Sequence, residues 1–187
     1  MRIAVSSDMD VPPARQVVEE LRRRGHTVLS HGALRDGDRA DWAWSAGAAA
    51  RAVADGTADQ AVVCCWTGAG ASIAANKVPG VRAALCADAY SARGARVWSD
   101  ANALALSLRT LSDGLLGEIL DAWFSAAADE ERDDEDRANI AHLAGIEAGT
   151  PAGAPAGTPP HSAADIEGAR PDDVRPRLGS HTPGRRQ

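Results

Sequence analysis

The chain alternates short apolar runs with segments of helical periodicity, and that alternation leaves few folds open to it. Ile3 to Ser6 is apolar and ends in Ser7-Asp8; Pro12 then opens a pattern with Ala14, Val17, Val18 and Leu21 on one face, which stops at Gly25. The same order of strand, loop and helix recurs. His26 to Leu29 is strand-like, Trp42 to Ala54 is helical and closed by Gly56, and Gln60 to Cys65 is a β-rich run. A short helix follows Thr67-Gly68-Ala69-Gly70 and reaches Asn76. Val81 to Cys86 is extended, Tyr90 to Val97 helical, Ala103 to Leu108 extended and Leu115 to Phe124 helical. Helical crossovers are what return a chain to pair in parallel, so this order predicts an α/β fold, a Rossmann-like three-layer sandwich around a five-stranded parallel sheet.

Composition sets the limits of that domain. Glu135 to Glu147 still reads as a helix, with Ile140, Leu143 and Ile146 on one face, but beyond residue 147 comes a mixture of Pro, Gly, Ser and Arg in which Val174 and Leu178 are almost the only large apolar residues. Such a segment buries too little apolar area to offset its ordering entropy. The expected organisation is a domain over 1–147 and a disordered tail over 148–187. With 44% apolar residues the domain has material for a core, and a net charge of -6 argues against a nucleic-acid surface. No apolar run approaches the roughly 18 to 20 residues of a membrane span, and the first residues lead directly into a strand, so a soluble cytoplasmic protein is expected.

The stretch Val62-Val63-Cys64-Cys65-Trp66-Thr67-Gly68-Ala69-Gly70-Ala71-Ser72 carries most of the chemistry. Neighbours on a strand point to opposite faces, so Cys64 and Cys65 occupy different environments: one is a small core residue, the other a candidate reactive thiol. With Cys86 they form neither an even disulfide set nor a zinc spacing. The strand delivers its last residue to the carboxyl edge of the sheet, where ligands bind in open parallel sheets. A glycine-rich turn then opens a helix, and its backbone N–H groups favour an anion, either a phosphate or a developing enediolate oxygen. A loop of small residues after a strand also occurs for purely structural reasons.

Cys65 through Lys77, followed by Val78-Pro79-Gly80-Val81-Arg82-Ala83-Ala84-Leu85, resembles the signature of the ribose-5-phosphate isomerase B and galactose-6-phosphate isomerase family. Ile3 to Asp8, Asp100-Ala101-Asn102, the Arg109 region and Ile119 to Trp123 are similar to the family's other motifs, so the likeness runs from residue 1 to about 147. The resemblance implies an aldose–ketose isomerase without metal or cofactor, in which Cys65 removes the proton next to the carbonyl and the segment Trp66, Thr67, Gly68, Ala69, Gly70, Ala71 and Ser72 stabilises the enediolate. A free thiol titrates near about 8.5 and a helix N-terminus favours the thiolate, which makes that chemistry reasonable. By the same resemblance Asp8 contacts sugar hydroxyls, Asp41 with Trp42 stands for an Asp-Tyr pair near the site, and Arg109 contacts phosphate. Asp8 and Asp41 each have an alternative as helix caps. Family members form dimers or larger assemblies with shared sites, so a homodimer or tetramer is expected, built on the helices after residue 89.

The departures from the pattern bear on substrate. Met9 stands where the family has a His, Trp98 replaces the His that assists ring opening, and Ser99 replaces an Asn. The two phosphate-holding arginines near the C-terminus fall on Glu135 and Asn139, with Arg132 and Arg137 close enough to compensate. An indole N–H only donates, so Trp98 cannot move a proton from a sugar hydroxyl. His31, at the end of the second strand, is a candidate for the missing acid. Loss of a charged hydrogen bond to phosphate costs on the order of 1.5 to 3 kcal/mol, whereas Trp66 and Trp98 offer apolar faces suited to the C–H face of a sugar. Three functions are therefore weighed: isomerase of a sugar phosphate, isomerase of a non-phosphorylated or carboxylated sugar, and a binding module that keeps the fold without catalysis.

Overall fold

The structure, a computed structural model, describes residues 1–126 and 128–149. Of the expected tail, Ala148 and Gly149 are described, Ala148 closing the last helix, and residues 150–187 lie outside the described residues. Five strands, β1 (Arg2–Ser7), β2 (Thr27–Gly32), β3 (Gln60–Cys65), β4 (Ala83–Leu85) and β5 (Ala103–Ser107), form one parallel sheet in the order β2-β1-β3-β5-β4. The connections are α1 (Pro12–Arg23), α2 (Trp42–Ala54), α3 (Ala69–Ala75) and α4 (Ala89–Ser99); α5 (Asp113–Ser125), α6 (Ala128–Glu131) and α7 (Asp134–Glu147) follow β5. This is the expected α/β sandwich.

The two faces of the sheet are filled differently. Ile3, Val5, Val62, Cys64, Leu104 and Leu106 project toward α1 and α5, where Val17, Leu21, Leu116, Ile119 and Trp123 complete a core of large side chains. On the other face Ala4, Ala61, Val63, Cys65, Ala103 and Ala105 meet the alanines of α2 and α3. Small residues on both partners let those helices lie close to the sheet, which matters because α3 opens at the site. Trp123 of α5 is anchored by its indole N–H, which donates to Gln60 Oε1 at 2.7 Å in a buried contact. A buried indole ordinarily finds such a partner.

Several boundaries differ from expectation for identifiable reasons. β2 extends to Gly32 because Ser6 and Ser7 still pair with His31 and Gly32. β4 shrinks to Ala83–Leu85, since the Arg82 N–H donates to the side-chain oxygen of Asn102 and not to a strand partner. On the outer side of β4, Asn76 does the work of a further strand: its amide nitrogen donates to Ala83 O and its oxygen accepts from Ala83 N, both at 2.8 Å. The one-turn α6 was not foreseen. None of the described α7 residues is fully buried, and Ile146 is exposed.

Gly32 is a close-packing point between β1, β2 and α2. Its φ is +65°, and a Cβ there would lie 2.4 Å from Ser45 Cβ and 2.5 Å from Ser7 O. Gly32→Ala should destabilise the protein by about 3 kcal/mol, through the left-handed backbone and the clash together. An unchanged urea midpoint would show that β1 and α2 separate freely at this point. Burial also pushes the Cys64 thiol from its ordinary 9.0 up to about 12. The folded chain keeps that proton over a range in which the unfolded chain releases it, so stability is full below pH 9.0 and falls as pH rises toward 12. Cys64→Ala should flatten that alkaline decline in urea midpoints, leaving the smaller part due to Cys86, which burial raises to about 11. An equal decline in wild type and variant would exclude Cys64 as its source.

Candidate active site

The carboxyl end of β3 feeds a turn that is fixed by main-chain contacts and one serine hydroxyl. Cys65 O accepts from Gly68 N at 3.2 Å and from Leu108 N at 3.1 Å, and Trp66 O accepts from Arg109 N and from Ser107 Oγ, both at 3.1 Å. The turn is thus tied to the end of β5. Gly68 adopts φ +76°, and a Cβ on it would lie 2.4 Å from Leu85 Cδ1 and 3.0 Å from the backbone of Leu106 and Ser107. Only glycine satisfies both conditions. The first amides of α3, on Ala69, Gly70 and Ala71, precede the first hydrogen bond within the helix, Ser72 N to Gly68 O at 3.0 Å. Trp42 stands beside them, its ring edge 3.0 Å from where a Cβ of Gly70 would be.

Cys65 is 5% exposed and belongs to the same cluster as Ala71 in the first turn of α3, whereas Cys64 faces the large-residue core. Of the two cysteines, the one placed on the side of the amide turn is Cys65. Thr67 is exposed on the turn. Ser72 is turned elsewhere, its hydroxyl 3.4 Å from Ala83 O. Arg109 is exposed and adjoins the turn through its backbone bond to Trp66.

Asp8 follows β1 at the same edge and is half-buried. Desolvation raises its carboxyl above the ordinary range, partly opposed by a backbone amide. It is not a helix cap: the residue before α1 is Val11, and no side chain caps that helix. Met9 packs its side chain against the large-residue core, and its N–H donates to Ser7 Oγ at 3.1 Å, so it presents little to a ligand. Asp41 does occupy the N-cap position of α2, but its side chain makes no capping bond. It accepts instead from Arg39 Nε at 2.7 Å, which holds the carboxyl below its usual range. Arg39 in turn lies 3.5 Å over the ring of Trp44.

The remaining expected residues gather elsewhere in the chain. Trp98 and Ser99 close α4, which runs from the end of β4 back to the start of β5, so Ser99 lies toward the sheet edge opposite Cys65. The Trp98 ring leans back along α4 over Gly94 and meets Tyr90 edge-on, with centroids 5.6 Å apart. Arg132, expected at the phosphate, is engaged within the chain. Its side chain is 8% exposed and donates to Val97 O at 2.9 Å, Arg96 O at 3.1 Å and Asp100 Oδ1 at 3.0 Å. The guanidinium caps the C-terminus of α4, where exposed carbonyls attract a cation. Arg137 is exposed and donates to Arg132 O at 3.1 Å. Sequence reasoning missed Ser107, which ties down the turn, and the pairing of Asn76 with β4. The sequence sign was a polar residue at an element's end, Ser107 closing β5 and Asn76 just past α3. Among the described residues no group of His, Cys, Asp or Glu is placed to hold a metal ion, and no helix is long and apolar enough to cross a membrane.

Comparison with known proteins bears on this arrangement. The family model described as Ribose/Galactose Isomerase matches residues 3–140. The chain is 39% identical over 127 residues to the galactose-6-phosphate isomerase subunit LacB of Clostridium acetobutylicum, covering 67% of this chain and 73% of that one. It is 40% identical over 111 residues to ribose-5-phosphate isomerase B of Escherichia coli, covering 59% and 74%. The solved structure of ribose-5-phosphate isomerase B from Clostridium thermocellum superposes with a TM-score of 0.71 at 35% identity, over 80% of this chain and 99% of that one. Sequence and fold agree, and the chain belongs to the ribose/galactose isomerase family of sugar-phosphate isomerases.

Proposed function

We propose that the protein interconverts an aldose phosphate and its ketose, of the ribose 5-phosphate and ribulose 5-phosphate type, with Cys65 as the carbon-acid base. The observation that carries this is the placement of one thiol and one run of helix-opening amides on a single turn, held by Gly68 against β5. A thiolate at Cys65 takes the proton from the carbon next to the carbonyl. The C–H electron pair becomes the enediolate double bond, and negative charge collects on the former carbonyl oxygen, where the amides of Ala69, Gly70 and Ala71 stabilise it. A proton then passes between the two oxygens and the thiol returns its proton to the neighbouring carbon. Nothing is oxidised or reduced overall, and the sequence of steps asks for no metal or cofactor. Thr67 and Asp8 orient the hydroxyls, and Arg109, exposed beside the turn, meets the phosphate, with Arg137 as a further cation on α7. The relatives are named as isomerases of galactose 6-phosphate and ribose 5-phosphate, which supports a sugar-phosphate substrate, and a cytoplasmic enzyme is part of this reading.

A second reading, isomerisation of a less charged sugar, is favoured by one observation: Arg132 is committed to the end of α4. The two readings differ in whether the free sugar or its phosphate is turned over. With ribose 5-phosphate in deuterated water, wild type should incorporate deuterium into the sugar, and Cys65→Ala should lower that rate by about a thousandfold, the scale of a lost general base. Exchange that survives in Cys65→Ala would exclude the thiol. Exchange seen with free pentose and absent with the phosphate would favour the second reading, and no exchange with either would leave a binding module.

Trp66, Ile73, Leu85, Tyr90 and Trp98 are all exposed large apolar residues, more than a monomer commonly leaves to water. A second copy covers them in the homodimer proposed here, through the helices after residue 89, and brings the end of α4 from one copy toward Cys65 of the other. Sedimentation at micromolar concentration should show a dimer or tetramer, and Trp98→Glu should shift it toward monomer. A wild-type monomer under those conditions would exclude a shared site.

A further inference from the structure

Three buried polar atoms lack a hydrogen-bond partner at one corner of the sheet: Ser6 Oγ, Asp8 Oδ1 and His31 Nε2. The one other such atom among the described residues, His26 Nδ1, belongs to a ring stacked on Phe124 just before β2, at the opposite edge. Ser6 and His31 are register partners on β1 and β2. Two residues earlier on the same strands, Ala4 and Leu29 pack into the α2 face, so Ser6 and His31 project to that face as well. Asp8 lies two residues beyond Ser6. Ser6 is completely buried.

The outer side of His31 is oriented. Its Nδ1 lies 3.9 Å from Asp38 Oδ2, and that oxygen accepts from Gly32 N at 3.3 Å. A carboxylate on this side favours the tautomer with the proton on Nδ1, which leaves Nε2 as an acceptor. The row then holds one donor, the Ser6 hydroxyl, between two acceptors, the imidazole Nε2 and the Asp8 carboxylate. Such a row takes up one more proton readily, because either acceptor becomes a donor on gaining it. Buried polar atoms of this kind are ordinarily joined by internal water.

We propose that Ser6 and His31, joined to Asp8 through internal water, form a proton-holding row that lets Asp8 open the ring of a cyclic sugar, at a site where residue 98 is a tryptophan. This rests on the isomerase reading above and deepens it. In the step, the Asp8 carboxylate takes the proton of the anomeric hydroxyl and the bond from C1 to the ring oxygen breaks as the C1 carbonyl forms. The proton then returns to the former ring oxygen, so the step is proton-neutral. Ser6 and His31 act through Asp8 and are positioning residues. The charged and titratable groups facing the row are Asp38 and Arg35 after β2, Arg51 on α2 and the Cys65 thiol on the same face of β3; the Cys64 thiol, which the Asp8 carboxylate also raises, projects to the other face. Burial lowers the His31 imidazole and raises the Asp8 carboxyl, which brings the two acceptors toward a common range.

Two measurements on the full chain test this. By nitrogen-15 NMR, His31 should show the Nδ1–H tautomer, and its titration midpoint should move in Asp8→Asn. An Nε2–H tautomer, or a midpoint indifferent to Asp8→Asn, overturns the proposal. With ribose 5-phosphate deuterated at C2, His31→Gln and Ser6→Ala should lower kcat about tenfold with KM little changed, as for loss of support to a general acid–base group. The isotope effect on kcat should fall toward unity, because ring opening breaks no C–H bond and becomes limiting. A reduced kcat with an undiminished isotope effect also overturns the proposal, since a merely structural lesion leaves the chemical step limiting. Absence of turnover and of Cys65-dependent exchange in wild type would instead refute the isomerase reading, and the NMR titration would still decide the row.

Discussion

The site depends on a close approach that a single missing side chain permits. Gly68 passes so near the backbone of Leu106 and Ser107 that a Cβ would touch both, and it does so at a φ that other residues rarely adopt. Because of that approach, Cys65 O and Trp66 O can each accept from residues just after β5. Those bonds aim the start of α3, and with it the amides that precede its first internal hydrogen bond. A thiol at the end of β3 without this tie would face a mobile loop. With it, thiol and amides keep a fixed relation, which is what stabilising a transient oxyanion requires.

The adjacent cysteines show how one strand places two sulfurs in different surroundings. The pleat sends Cys64 into the core of large side chains, where desolvation and the nearby Asp8 and Cys65 charges keep it a thiol to about 12. Cys65 points to the alanine-lined face, at the level where the sheet ends and α3 begins. Position along the strand therefore sets which sulfur reaches the edge, and the alternation of faces keeps the second in the core. The same alternation groups Ser6 and His31 on that alanine-lined face, so the proposed proton-holding row and the Cys65 thiol share one side of the sheet.

The parts of this arrangement that could be read from the sequence were those written in local periodicity. β3 and α2 have the bounds their patterns suggested, and the turn after β3 announced itself by two glycines between a strand and a helix. The single-residue details of the site were less legible because they depend on partners distant in the chain. Whether Asp41 capped α2 turned on Arg39 competing for its carboxylate, and whether Ser72 faced a ligand turned on where β4 would lie. The length of β4 was misjudged because the Arg82 N–H is taken by the side chain of Asn102, a partner distant in the chain. The family resemblance supplied roles for residues, but it could not show that Arg132 had been drawn into the end of α4.

That displacement of Arg132 bears directly on how an anion could be held. Asp100 ends α4 in a left-handed conformation with φ 47°, and its carboxylate accepts from Arg82 at 2.6 Å and from Arg132 at 3.0 Å. Asp tolerates this conformation better than most residues, but two cations on one carboxylate make it rigid. A guanidinium tied to helix carbonyls and to that carboxylate would have to abandon them to bind a phosphate, at the cost of leaving buried acceptors unpaired. The end of α4 is therefore better suited to presenting Ser99 and the Trp98 ring on a firm base than to gripping charge. Because α4 delivers Ser99 to the edge of the sheet opposite Cys65, that base serves the thiol of its own chain poorly. In the homodimer proposed above, a second copy across the exposed aromatic surface would bring that base to a thiol, so under that proposal substrate charge and assembly are one question.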